Sequence, residues 1–227
     1  MIIFISFLFA IIPSILLFKL LYTKYAIEKK TQFVLSFIAG FACIVTTVAL
    51  AVLFNLILIT RNQWILVIIK SFVYNGLFPE LSKLFLFLFL IYKNSKKATD
   101  GIILYIIMSF GFAYFENLFY SSGDTGLLRA FTAIPGHILW SGIAGYYITK
   151  VRKPDKKRLL ISGLFMAAIY HGTFNFLLFT GTNKIIGNVY LKYLVIPLLI
   201  LCFMHLQYLL KQADIDIKKI LRERKLI

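Results

Sequence analysis

At 227 residues, with 60% hydrophobic and 17% aromatic side chains and a mean hydropathy of +0.86, the chain leaves too little polar surface for a water-soluble domain. Its formal charge of +16 sits in short Lys- and Arg-rich loops beside apolar blocks, which is a topogenic pattern and argues against nucleic acid as a partner. The expected class is an all-α, polytopic transmembrane helix bundle of about seven spans, one integral membrane domain over residues 1–227, multi-pass in the cell membrane.

The first apolar block, Ile2 to Tyr22, has no basic stretch before it and no small-residue cleavage site after it, so it reads as a span. A loop carrying Lys24, Lys29 and Lys30 leads to a second span, Phe33 to Ile59. Trp64 to Tyr92 is apolar except for Lys70 and the run Asn75-Gly76-Leu77-Phe78-Pro79. Proline suits the first helical position and not the interior, so a helix start or kink is predicted near Pro79, with 64–75 as a half-helix or interfacial piece if the span breaks. Four more spans follow, Gly101 to Tyr120, Ala130 to Thr149, Leu159 to Phe179 and Val189 to Leu210. In the basic tail, 211–227, Ile215, Ile220 and Leu221 suit a membrane surface. The loops after spans one, three and five, with the tail, hold 18 of the 25 Lys and Arg residues. The positive-inside rule then sets the amino terminus outside and the carboxyl terminus in the cytoplasm. Cys43 and Cys202 lie in apolar segments without metal-ligand spacing and read as core packing.

Ionisable groups inside the spans are costly and so are functional candidates. Of nine acidic residues, only Glu80 and Glu116 fall inside apolar segments, as do all three histidines, His137, His171 and His205. At ~1.5 Å per helical residue, Glu116, His137 and His171 lie about 6, 10 and 12 Å from the outer ends of their spans, and Glu80 about 18 Å above the cytoplasmic end of its own. Those four agree on one level in the outer half; His205, about 8 Å from the inner end, does not join them. His171 and Asn175 are one helical turn apart and face the same way, Asn117 adjoins Glu116, and Lys83 is a local cation for Glu80. Glu80 is a candidate base for a hydrolytic water, directly or with a metal. Glu116, His137 and His171 form a plausible three-ligand metal set, possible for Zn2+, with one position open. Asn175 would donate to an oxyanion or orient His171. Without metal, Glu80 and Glu116 would serve as a base and acid pair.

Glu80-x-x-Lys83, Phe112-x-x-x-Glu116-Asn117-x-x-Tyr120, Pro135-Gly136-His137 and His171-x-x-x-Asn175, in this order on successive spans, resemble the PrsW family of intramembrane proteases, which is related to the CAAX prenyl endopeptidases and to the scaffold subunit of gamma-secretase. The resemblance covers roughly residues 75–180. It implies an intramembrane endopeptidase, classed with metallopeptidases, that cleaves a transmembrane protein such as an anti-sigma factor near its extracytoplasmic side. It carries over Glu80, Glu116, His137 and His171 as site residues, with Asn175 in support. The family usually has a pair of glutamates before the lysine, and here the first position is Pro79. Either Glu80 does both jobs, or the chain is a non-cleaving scaffold or immunity-type protein of the same fold; a small transporter with a broken span at Pro79 is the third reading.

Overall fold

The computed structural model describes residues 30–92, 98–120, 126–150, 158–182 and 188–223, and among them every regular element is a helix. Helix α1 is Lys30–Asn55, α2 Gln63–Ile91, α3 Ala98–Tyr120, α4 Gly126–Lys150 and α5 Arg158–Thr182. A 3-10 turn, Val189–Leu194, leads into α6, Val195–Glu223. The first expected span, residues 2–22, lies outside the described residues. Among the described residues, four segments are long and apolar enough to cross a membrane: Thr31–Asn55, Gln63–Ile91, Arg158–Gly181 and Val189–Ala213. The apolar part of α3 is shorter, Gly101–Asn117. Helix α6 continues through Lys211 to Glu223, so that part of the tail is helical.

Helices α3 and α4 occupy the middle. α4 packs against α3, α5 and α6, while α1 covers the far side of α3 and the wide part of α2 lies along α5. The interior is closed by large side chains shielded from solvent, including Trp140, Tyr105, Phe87, Phe112 and Phe174. Cys43 and Cys202 are buried in it as free thiols. The outward faces are as apolar as the core, with Val34, Ile38, Val45 and Val52 exposed along α1 and Ile200, Phe203 and Met204 along α6. Such faces suit hydrocarbon and not water.

Two close helix approaches set the geometry. Where α1 crosses α3, a Cβ on Gly40 would lie 2.1 Å from the Met108 carbonyl oxygen, and one on Gly111 would lie 2.2 Å from that of Phe37. Backbone touches backbone there, as small residues permit in membrane helix pairs. Where α2 meets α5, a Cβ on Gly76 would be 3.0 Å from Gly172 Cα, and one on Gly172 would be 3.0 Å from Phe72 Cα. This second contact sets α2 directly against the turn that carries His171.

The expected break at Pro79 takes a different form. Helix α2 runs on through the proline, because residues Lys70–Leu77 widen into a π-helical stretch before the α-helical segment Phe78–Leu86. Pro79 has no N–H for the carbonyl of Asn75 four residues back. The side chain of Asn175 on α5 supplies the donor, with Nδ2 at 3.0 Å from that oxygen. The wide turn and the borrowed hydrogen bond together keep the span continuous.

Replacing Gly40 or Gly111 by alanine forces the α1–α3 crossing apart. Each substitution should lower the unfolding free energy in detergent by about 1–3 kcal/mol, while Val45→Ala on the outward face should change it by less than about 0.5 kcal/mol.

Candidate active site

Glu80 and Lys83 stand three residues apart on α2, fully buried, with Lys83 Nζ 2.5 Å from Glu80 Oε1. The ammonium also donates to Ser109 Oγ on α3 and Ser141 Oγ on α4, each at 3.1 Å. Its three hydrogens are thereby engaged, and the Phe112 ring lies 5.3 Å away. Ser141 donates to Ser109 at 2.6 Å, and Ser109 donates to the His137 carbonyl at 3.0 Å. A single cation therefore ties α2, α3 and α4 together beneath the carboxylate.

The second carboxylate has its own cation. Glu116 Oε2 accepts from Arg129 Nη2 at 3.3 Å and faces His137 Nε2 at 2.9 Å. Arg129, buried at the start of α4, also donates through Nη1 to Asn175 Oδ1 at 3.0 Å. Asn175 Nδ2 reaches the Asn75 carbonyl at 3.0 Å and that of His171 at 3.3 Å. Both amide hydrogens are used, so Asn175 braces α5 against α2 and has none left for an oxyanion.

Hydrogen bonding fixes which imidazole nitrogens remain available. A carboxylate only accepts, so His137 is protonated at Nε2 facing Glu116, and His171 at Nδ1, which lies 3.0 Å from Glu80 Oε1. The opposite nitrogens, His137 Nδ1 and His171 Nε2, are buried without a hydrogen-bond partner among the described residues, and so is Glu80 Oε2. One ligand-capable atom from each of Glu80, His137 and His171 lies within 4.8 Å of the other two. Buried polar atoms are ordinarily satisfied. A carboxylate and two imidazoles grouped from three helices, each with one such atom, are residue types suited to a divalent cation. The Trp140 indole stacks on His171 at 4.7 Å and 18° and lies 4.9 Å from His137, so the imidazoles are backed by an apolar wall.

The four expected side chains meet, and the carboxylates divide differently from the expected ligand set. Glu80, in place of Glu116, joins the two histidines; Glu116 holds the far nitrogen of His137. The Asn117 side chain is buried without a hydrogen bond. His205 pairs with Tyr170 at 3.0 Å, outside the cluster. Sequence reasoning missed Arg129, Ser109, Ser141 and Trp140. Arg129 had a readable signal, being a cation at the edge of an apolar block, thirteen residues after a carboxylate that needed one.

A cleft of about 550 Å³ runs between α1 and α2 to Pro79, Phe112 and Glu116. Pro79 adjoins Glu80 in the chain and Glu116 pairs with His137, so the cleft ends beside the cluster. Arg129→Leu, which strands Glu116 without its cation, should cost about 3–5 kcal/mol of stability on denaturation in detergent. Asn175→Leu, which leaves the Asn75 carbonyl without this donor, should cost about 1–3 kcal/mol.

Residues 28–203 match the family described as PrsW family intramembrane metalloprotease. Protease PrsW of Halalkalibacterium halodurans is 31% identical over 118 residues, 49% of this chain and 55% of the relative. Protease PrsW of Oceanobacillus iheyensis is 30% identical over 157 residues, 65% of this chain and 69% of the relative. For that of Shouchella clausii the figures are 26% over 215 residues, 90% of this chain and 95% of the relative. The match to the first of these thus spans about half of its length, and that to the third nearly all. No solved structure matches the chain. The family match extends over the helices that bring Glu80, Glu116, His137 and His171 together, and the chain belongs to the PrsW family of intramembrane metalloproteases.

Proposed function

We propose that the chain is an intramembrane endopeptidase that hydrolyses a peptide bond of a membrane-anchored protein near its extracytoplasmic side. The observation that carries this reading is the trio of buried, unsatisfied acceptors Glu80 Oε2, His137 Nδ1 and His171 Nε2. These three residues would hold the metal. Bound there, zinc would supply Lewis acidity toward the scissile carbonyl and toward water, with one position left open.

In this reading the two carboxylates exchange the roles that sequence alone suggested. Glu80 is a ligand, fixed by Lys83 and His171 through Oε1, with Oε2 buried and not engaged by either. Glu116 is the proton acceptor. Its Oε2 is occupied by His137 and Arg129, and the residue forms part of the cleft wall. It takes a proton as the water oxygen bonds to the carbonyl carbon, then returns it to the amide nitrogen as the C–N bond breaks. The missing first glutamate at Pro79 then removes no group that this scheme needs. Trp140 and Phe112 exclude bulk water from the site.

The basic loops support an amino terminus outside, a carboxyl terminus in the cytoplasm and seven spans in one domain of the cell membrane, with the site in the outer half. An anti-sigma factor with a single span is a substrate of the kind that the family resemblance implies.

Two measurements test the division of labour on purified protein in vesicles. Elemental analysis should find about one zinc per chain, lost in His137→Ala and His171→Ala and weakened in Glu80→Gln. Glu116→Gln should keep its metal while cleavage of a single-span substrate falls by about 10²–10⁴-fold. Cleavage that survives Glu80→Gln and Glu116→Gln together would exclude this site.

A further inference from the structure

The cleft between α1 and α2 carries a feature that the chemistry at the cluster does not use. Lys70 is exposed on its wall, inside a span, with no carboxylate within ion-pair distance among the described residues. Tyr74 donates to Asn55 across the same opening, joining the two helices near its mouth. The inner end reaches Pro79, the chain neighbour of Glu80, and Glu116, which holds His137.

We infer that this cleft seats an unwound segment of the substrate and that Lys70 selects for an acidic side chain in that segment. The inference rests on the proposed hydrolase and adds to it a specificity-determining residue. Size favours an extended occupant: a helix with its side chains is about 10–12 Å across, so little more than one turn would fit in the ~550 Å³ available. Charge favours an acid, because a cation held at membrane depth is costly until water, a headgroup or an opposite charge serves it. A substrate carboxylate arriving with the bound segment would serve it only in the complex.

Spacing sets the register. Lys70 precedes Glu80 by ten residues, about 15 Å of helix, which an extended chain covers in roughly four or five residues. The preferred acid therefore lies at about that distance from the cleaved bond, on the side directed toward the cleft mouth.

The test uses the full chain in phosphatidylcholine vesicles and single-span peptides bearing one Asp, or Asn in its place, roughly three to six residues to either side of the cleaved bond. At one position Asp should exceed Asn by about tenfold in kcat/KM, or ~1.4 kcal/mol. That ratio should fall to about one in Lys70→Ala, and Lys70→Glu should prefer a Lys-bearing peptide instead. An Asp to Asn ratio unchanged by Lys70→Ala overturns the inference. A second readout needs no turnover: a photoreactive residue replacing Val48 on the cleft wall, in the Glu80→Gln chain, should crosslink the Asp peptide more than the Asn peptide. Selective capture without cleavage by the wild-type chain would uphold the cleft and remove the hydrolase. No capture, or crosslinking only to residues 2–22 of the same chain, overturns the cleft assignment.

Discussion

Two carboxylates held away from water set the terms for the rest of this structure. Each interacts with one cation: Glu80 with Lys83 a turn further along α2, and Glu116 with Arg129 on the next helix. In a medium of low dielectric the attraction within such a pair is strong, but so is the cost of desolvating it, and extra hydrogen bonds decide whether it is tolerated. Here those bonds come from Ser109 and Ser141 on one side and Asn175 on the other. Charge neutrality and helix packing are therefore one problem. The residues that neutralise Glu80 and Glu116 also join α2, α3, α4 and α5.

The same pairs decide which atoms remain reactive. Lys83 and His171 share Oε1 of Glu80, and Glu116 takes Nε2 of His137, leaving Glu80 Oε2 and His137 Nδ1 without a hydrogen bond among the described residues. Second-shell partners of this kind orient metal ligands and fix their tautomers. The two acids thus differ in their surroundings. Glu80 is enclosed among histidines, while Glu116 borders the cleft.

Much of this was legible in the sequence. Long apolar blocks announced the helices, and the four polar residues singled out inside them do lie together in the structure, as costly groups in a membrane interior are expected to. The choice between Glu80 and Glu116 as ligand was not legible. By depth and type they are equivalent, and the difference lies in Arg129, which stands at a span boundary where basic residues ordinarily mark topology. Ser109 and Ser141 were hidden for another reason: hydroxyls in helices commonly bond their own backbone, as Ser36 and Thr47 do here. Pro79 predicted a break because its effect was judged locally. The group that repairs it is Asn175, a hundred residues further along the chain.

That repair links two positions far apart in the chain through one shared carbonyl. A residue with an N–H at position 79 would offer the Asn75 carbonyl a second donor, and that oxygen has lone pairs for both. Position 79 and Asn175 therefore act on the same atom, and a change at either is felt at the seam between α2 and α5.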